Sequence, residues 1–310
     1  MAQKIYIDGE HGTTGLQILN RLADRKDIEL LSIPADKRKD PDTRADFLRA
    51  ADIAILCLPD DAAREAVALG RDAGTRFIDA STAHRTAEGW VYGFAEMAAD
   101  QAGKIAEAQF VANPGCWPQG PIAGLKPLIA SGLLPADLSI SISGISGYSG
   151  GGKQMIADYQ AMGDDAPAFM PYALGLQHKH VPEIRTYCGL SQAPIMQPAV
   201  GNFAQGMLTM VPLHLAHLDK VPSGSELHAA LAEHYGSLTH SAIDVAPFDG
   251  KERSSDLNPQ RHNDTNRMTL HVCANDARGQ ALLLAVYDNL GKGASGAAVQ
   301  NLDLMIGRSG

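Results

Sequence analysis

The sequence predicts an α/β protein of two domains: a doubly wound parallel sheet, then a second domain built on a mixed or antiparallel sheet. Three observations predict it. A glycine loop, Gly9-Glu10-His11-Gly12-Thr13-Thr14-Gly15, stands between an apolar strand and a helix; strand-like and helix-like segments then alternate; and beyond Cys116 the pattern changes to glycine-rich extended segments. Alternation points to parallel pairing, because each return between parallel strands needs a crossover, usually a helix.

Residues 4–8 read as a strand, 9–15 as the loop, 16–24 as a helix and 28–33 as a second strand. A helix near 44–50, a strand at 53–58, a helix over 61–73 and a strand at 76–79 follow. Val111 and Ala112 close a further strand, Pro114-Gly115 marks a turn, and 121–129 reads as a helix, which places Cys116 near that helix's N-terminus. Segments 138–152, 193–213 and 268–286 read as strands of the second sheet. The polar stretch 249–264, with Pro259, reads as a loop free to move over a site. Residues 291–305 read as a helix, with Ala297, Ala298, Leu302 and Met305 at apolar positions, that returns to the first domain.

A chain of 310 residues, 45% hydrophobic and 20% charged, can bury a core in each of two domains. The net charge of -9 counts against a nucleic-acid binder, which carries a basic face. No apolar run is long enough to span a membrane, and Met1-Ala2-Gln3-Lys4 leads into strand-like sequence with no signal peptide, so a cytoplasmic location is expected. The four cysteines, Cys57, Cys116, Cys188 and Cys273, lack metal-type spacing and read as free thiols. Cys57 and Cys273 fall in strands and are expected in the core, while Cys188 has no chemical neighbour in sequence.

The glycine loop is a G-x-x-G-x-x-G variant of the dinucleotide fingerprint, in the strand-loop-helix order that lets backbone amides approach a pyrophosphate. The plain alternative is a tight turn that binds nothing. After the second strand, Ile33-Pro34-Ala35 stands where a ribose-binding acid is usual, and Asp36-Lys37-Arg38-Lys39 follows. Its cations suit a 2′-phosphate and favour NADP, a solvated charge run being the alternative, and Asp36 keeps NAD open.

Cys116 is the candidate nucleophile, because a helix N-terminus favours a thiolate; the alternative is a small buried hydrophobe. Gln177-His178-Lys179-His180-Val181-Pro182-Glu183-Ile184 gathers two imidazoles, a lysine and a carboxylate. It lacks the spacing of a zinc site, so no metal is expected, and a histidine with a pKa of about 6.5 fits proton donation near neutral pH better. The run 144–153 offers Ser146, Ser149 and Lys153 as an anion cradle, or is simply a glycine-rich sheet corner. His84-Arg85 follows the fourth strand, where ligands of such sheets bind, and Arg85 would grip a phosphate or carboxylate.

The glycine loop, Asn113-Pro114-Gly115-Cys116, Ser143-Gly144-Ile145-Ser146-Gly147, His178-Lys179-His180-Val181-Pro182-Glu183-Ile184 and the ending Asp288-Asn289-Leu290-Gly291-Lys292-Gly293-Ala294-Ser295-Gly296-Ala297-Ala298-Val299-Gln300-Asn301 occur in that order. Together they resemble the N-acetyl-gamma-glutamyl-phosphate reductase family. The chain has Ala80-Ser81-Thr82-Ala83-His84-Arg85 where longer members carry an S-A-D-F-R-like run, and Val211-Pro212-Leu213-His214 for a V-P-H-like run, so it resembles the short type.

The resemblance implies a Rossmann domain over 1–115 and 291–310 and a glyceraldehyde-3-phosphate-dehydrogenase-like α+β domain over 116–290 for catalysis, substrate and oligomer contacts. It implies a homo-oligomer, dimer or tetramer, and NADPH-dependent reduction of a small acyl phosphate in arginine biosynthesis through a cysteine thioester. Cys116 and His178 are its catalytic pair, the first motif histidine preferred to His180. Gly9, Gly12, Thr13, Thr14, Gly15, Lys37, Arg38 and Asn289 are assigned to NADP(H), and Arg85, Gln119, Ser146, Ser149, Lys153, His180 and Glu183 to the substrate. The competing readings are an aspartate-semialdehyde-dehydrogenase-like reductase of another acyl phosphate, a Cys/His hydrolase or acyltransferase, and a non-catalytic redox-sensing nucleotide binder.

Overall fold

A computed structural model describes residues 2–38, 40–239, 241–250 and 254–308. Lys39 of the cation run and 251–253 of the polar loop lie outside the described residues. The chain divides into two compact units, one of Met1–Ala95, Asp100–Gly115 and Ala294–Gly310, the other of Glu96–Ala99 and Cys116–Gly293.

The first unit is a doubly wound α/β sheet. Its elements are β1 (Gln3–Asp8), α1 (Thr13–Leu22), β2 (Ile28–Leu31), α2 (Pro41–Ala50), β3 (Ile53–Leu56), α3 (Asp60–Gly70), β4 (Arg76–Asp79), β5 (Val91–Tyr92), α4 (Gln101–Glu107) and β6 (Phe110–Ala112). The strands pair in parallel in the order β2-β1-β3-β4-β6-β5. Strand side chains alternate between faces, and here both faces are apolar. Ile5, Ile7, Ile53, Ile55 and Ile78 meet α1, α4 and a C-terminal helix, Gly296–Met305, through Ile18, Leu22, Ile105, Ala298 and Leu302. Tyr6, Ala54, Leu56 and Phe77 face the other way, onto Leu48 of α2 and Ala63 and Ala66 of α3.

The second unit is a mixed sheet of seven strands in the order β11-β12-β13-β10-β7-β9-β8. The strands are β7 (Ser141–Gly147), β8 (Phe169–Pro171), β9 (Ile195–Gly201), β10 (Met207–His214), β11 (Ile243–Val245), β12 (Met268–Asn275) and β13 (Gln280–Tyr287). The helices are α5 (Cys116–Ala130), α6 (Gly152–Met162), α7 (Val181–Cys188) and α8 (Gly224–Gly236). Pairings β10 with β13, β10 with β7, β12 with β13 and β8 with β9 are antiparallel, and β7 with β9 and β11 with β12 are parallel. α5 lies on the face that carries Thr209, Leu283, Ala285 and Tyr287.

Several elements differ from the sequence reading. α1 starts at Thr13 rather than 16, because Gly12 takes an extended conformation and serves as its N-cap. α5 starts at Cys116 rather than 121, and Pro121 and Pro127 lie within the helix. Pro127 has no N–H to give the carbonyl four residues back, and the buried Tyr235 hydroxyl donates to that Ala123 oxygen at 2.7 Å. The extended run from 138 ends at Gly147, where a short turn leads into α6. Cys57 lies just past β3 and is half-buried, and Cys273 is exposed, because on β12 it points away from the face that carries Leu270 and Val272. The later half of the polar loop is pinned: Met207 N donates to Pro259 O, Asn263 Nδ2 to Gln205 O and Asp264 N to Asp288 Oδ2, at 2.9, 3.0 and 2.8 Å.

Candidate active site

Cys116, half-buried, is the first residue of α5. Its carbonyl accepts from the Tyr287 hydroxyl at 2.8 Å, and that hydroxyl also takes a hydrogen bond from the Gly120 backbone. Residues four apart close a helical turn, so Tyr287 is spliced into the first turn of α5 and fixes the residue that carries the thiol. Gly120 must be glycine for this, since a Cβ there would fall 2.1 Å from Thr209 Oγ1. On another side Gly293 backs the cysteine, with room for a Cβ only 2.9 Å from Cys116 Cβ. Burial first, then the charge of Cys116, raise the Tyr172 pKa, while a hydrogen bond with Trp117 opposes them.

His178 continues from Tyr172, their ring centroids 5.6 Å apart, and His180 stands 4.9 Å beyond it. The His180 amide donates to His178 Nδ1 at 3.2 Å. An amide N–H only donates, so Nδ1 carries the lone pair and the proton of the neutral ring is assigned to Nε2. Burial, then the charges of His180 and Lys179, push the His178 pKa down to about 4, against a smaller upward pull from Glu183. The imidazole is therefore neutral at pH 7, not about one quarter protonated as a pKa of about 6.5 would have made it. His180 and Glu183 form a buried pair behind it, Nδ1 to Oε2 3.0 Å.

Ser146, Ser149 and Asn289 form a second polar group in the same unit. Asn289 Nδ2 donates to Ser149 Oγ at 3.0 Å, its Oδ1 accepts from Gly206 N at 2.8 Å, and Ser146 Oγ donates to Gly147 O. Ser146, Met207 and Tyr287 are in register across β7, β10 and β13 and so share a sheet face. Two strand spacings put Ser146 about 10 Å from the tyrosine that holds Cys116. Lys153 is exposed on the first turn of α6, and Gln119 is buried, donating to Lys292 O at 2.6 Å.

In the first unit, β1 lies between β2 and β3, where the strand order turns back. Gly9 there has φ +89°, and a Cβ on it would fall 2.4 Å from Cys57 O; a Cβ on Gly15 would fall 2.3 Å from Gly9 O. No side chain caps α1, whose N-cap is Gly12, and Thr13 and Thr14 open the helix. Bare backbone at an uncapped helix N-terminus fits a dinucleotide pyrophosphate. Lys37 and Arg38 are exposed on the turn after β2, and Arg38 donates to Ala35 O at 2.9 Å. Arg85 is buried and its guanidinium donates to the carbonyls of Asn113 and Ala80 at 3.1 and 2.9 Å. Among the described residues no three His, Cys, Asp or Glu side chains are grouped to hold a metal.

Sequence reasoning missed Tyr172, Tyr287, Gly293 and a buried pair between Glu96 and Lys292. Lys292 and Gly293 stood inside a quoted motif but carried no role of their own; the tyrosines have no spacing signal, since tertiary packing alone brings them to Cys116.

Two family models match the chain in order: the semialdehyde dehydrogenase NAD binding domain over residues 4–105 and the semialdehyde dehydrogenase dimerisation domain over 116–289. The N-acetyl-gamma-glutamyl-phosphate reductase of Chelativorans sp. (strain BNC1) is 67% identical, over 99% of each chain. That of Mesorhizobium japonicum is 65% identical, over 99% of this chain and all of the relative. Aspartate semialdehyde dehydrogenase II from Vibrio cholerae has the same fold, with a TM-score of 0.75 over 99% of each chain at 15% identity. Identity of this order from end to end, across both semialdehyde dehydrogenase domains, places the chain in the N-acetyl-gamma-glutamyl-phosphate reductase family.

Proposed function

We propose that the chain reduces N-acetyl-gamma-glutamyl phosphate to N-acetylglutamate 5-semialdehyde and phosphate with NADPH, in arginine biosynthesis, with Cys116 as nucleophile. The observation that carries the residue roles is the Tyr172–His178 ring pair, 5.6 Å apart, whose tyrosine feels the charge of Cys116 and whose imidazole is neutral. Cys116 Sγ attacks the acyl carbon, and the carbon–oxygen bond to phosphate breaks with its electron pair leaving on phosphate, which gives a thioester. A bound nicotinamide supplies the hydride for the reduction. His178, with its proton on Nε2, donates a hydrogen bond to the oxygen on which charge develops, a role that a neutral imidazole fills without first being charged. Tyr172, beside His178, is assigned to share that load. Breaking the carbon–sulfur bond then frees the aldehyde and returns the thiolate.

The serine hydroxyls of Ser146 and Ser149, with Lys153, are assigned to the acyl phosphate, and Gly9, Gly12, Thr13, Thr14 and Gly15 to the pyrophosphate. Lys37 and Arg38 are assigned to a 2′-phosphate, which makes NADP the preferred form. We assign Arg85 to holding the Asn113-Pro114-Gly115 turn through the Asn113 carbonyl, Asn289 to bracing Ser149, and His180 and Glu183 to bracing His178. The oligomer is read as a two-fold dimer through the sheet face opposite α5, where Leu208, Met210 and Pro212 of β10 are half-buried or exposed.

The test is the reverse reaction. Purified protein is expected to reduce NADP+ with N-acetylglutamate 5-semialdehyde only when phosphate is present, and Cys116→Ala to lose the reaction while still binding NADPH. Folded, NADPH-binding protein that leaves this aldehyde untouched would reject the substrate, and turnover surviving in the variant would reject the nucleophile.

A further inference from the structure

Glu96 and Lys292 form an ion pair that the cysteine and histidine chemistry does not use. Both side chains are 1% exposed, and the ammonium lies 2.7 and 2.8 Å from the two carboxylate oxygens. The pair is tied at both ends. Glu96 Oε1 also accepts from Ala242 N at 3.2 Å, and the Glu96 carbonyl accepts from His234 Nε2 at 2.9 Å. Lys292 lies in a π-helical turn, Gly291–Ser295, and its carbonyl accepts from Gln119 of α5. The next residue, Gly293, donates its N–H to Asp288 O at 2.8 Å and lies against Cys116.

Desolvation makes a buried ion pair a poor source of net stability beside apolar side chains of the same volume. Its distinctive property is direction: charge and hydrogen bonds together fix one arrangement. Here the arrangement fixed is that of a turn that leaves no room for a side chain between Gly293 and Cys116, and Gln119, three residues into α5, holds the same turn through the Lys292 carbonyl. We propose that the Glu96–Lys292 pair is a positioning device that sets the start of the π-helical turn, so that Gly293 backs Cys116 and holds Sγ in the direction of attack. The proposal rests on Cys116 being the nucleophile.

The test compares Glu96→Gln, Lys292→Met and the double variant by thermal unfolding, by kcat and KM, and by the pH dependence of iodoacetamide alkylation. Alkylation is read by peptide mass spectrometry at Cys116, because Cys273 is exposed and reacts too. Each single variant leaves its partner without its counter-charge and is expected to lower Tm. The double variant removes both charges and is expected to regain most of the Tm while kcat stays down, on the order of 10²-fold for a nucleophile displaced by about 1 Å. Its alkylation profile is expected to shift and its KM for NADPH to hold. A double variant with wild-type kcat and alkylation profile would overturn the proposal and leave the pair a matter of stability alone. If the double variant does not fold, Glu96→Asp, which keeps the charge and shortens the reach, is read in the same way: a lowered kcat with a shifted profile supports the device, and unchanged values overturn it. Alkylation needs no substrate, so a wild-type protein inert toward the aldehyde rejects the proposed reaction and leaves this test standing.

Discussion

His178 owes its neutral state to burial and to two neighbours that flank it, His180 and Lys179. The sequence displays the neighbours but not the burial, which is why the motif identified the residue and misjudged its protonation. With the folded pKa near 4 and the unfolded one at 6.5, the unfolded chain binds the proton more tightly. The stability this gives is complete above about pH 6.5 and is lost as the pH falls toward 4. In an NMR titration the His178 ring is expected to stay neutral down to about pH 4 with its proton on Nε2, and His178→Asn to flatten the slope of stability between those two values. A midpoint near 6.5 would contradict the burial argument. Tyr172 makes a second residue-scale prediction. Tyr172→Phe removes the one hydroxyl beside His178 that we assign to the developing charge and is expected to lower kcat by about tenfold, the worth of one hydrogen bond, with KM for NADPH unchanged; an unaltered kcat would exclude it from the chemistry. Cys116 and His178 stand out in the sequence because the residue types that the proposed chemistry needs sit in short motifs. Tyr172 and Tyr287 do not, because an aromatic residue in sequence does not show what it will face.

At the scale of elements, the alternating strands of the first unit were legible because parallel strands buried on both faces read as short apolar runs. α5 was read five residues short, from 121 rather than Cys116, and the Pro127 within it is made tolerable by a tertiary partner. That partner is testable. Tyr235→Phe leaves the Ala123 carbonyl without the hydroxyl that replaces the missing N–H of Pro127, and is expected to cost about 1–3 kcal/mol in a denaturant melt. Adding Pro127→Ala restores a helical donor to the same oxygen, so the double variant is expected to recover much of the loss. Additive losses would show that Tyr235 acts by packing instead. α8 had a local signal that went unread: Ser223 and Glu226 form a capping box, each side chain bonded to the other's backbone N–H.

For the molecule as a whole, composition allowed two cores, and the change of pattern at Cys116 marked where the sheet type changes. What composition does not contain is which sheet face is left partly open. Register supplies it. β10 turns Thr209, Val211 and Leu213, all buried, toward α5, and turns Leu208, Met210, Pro212 and His214 the other way, half-buried or exposed. Ile145 of β7 and Leu282 of β13 are the cross-strand partners of Leu208 and Pro212, so an apolar strip crosses three strands of that face, bordered by the buried Leu284 and Val286. A strip of that kind marks a contact surface, and a two-fold axis makes the same patch self-complementary. The matched domain is described as a dimerisation domain, which directs the choice toward a second copy of this chain. Met210→Asp puts a like charge from each copy into one desolvated contact and is expected to yield monomers in sedimentation velocity at micromolar concentration, with NADPH binding retained because the dinucleotide cradle belongs to the other unit. A variant that sediments as the wild type does would move the interface to another face.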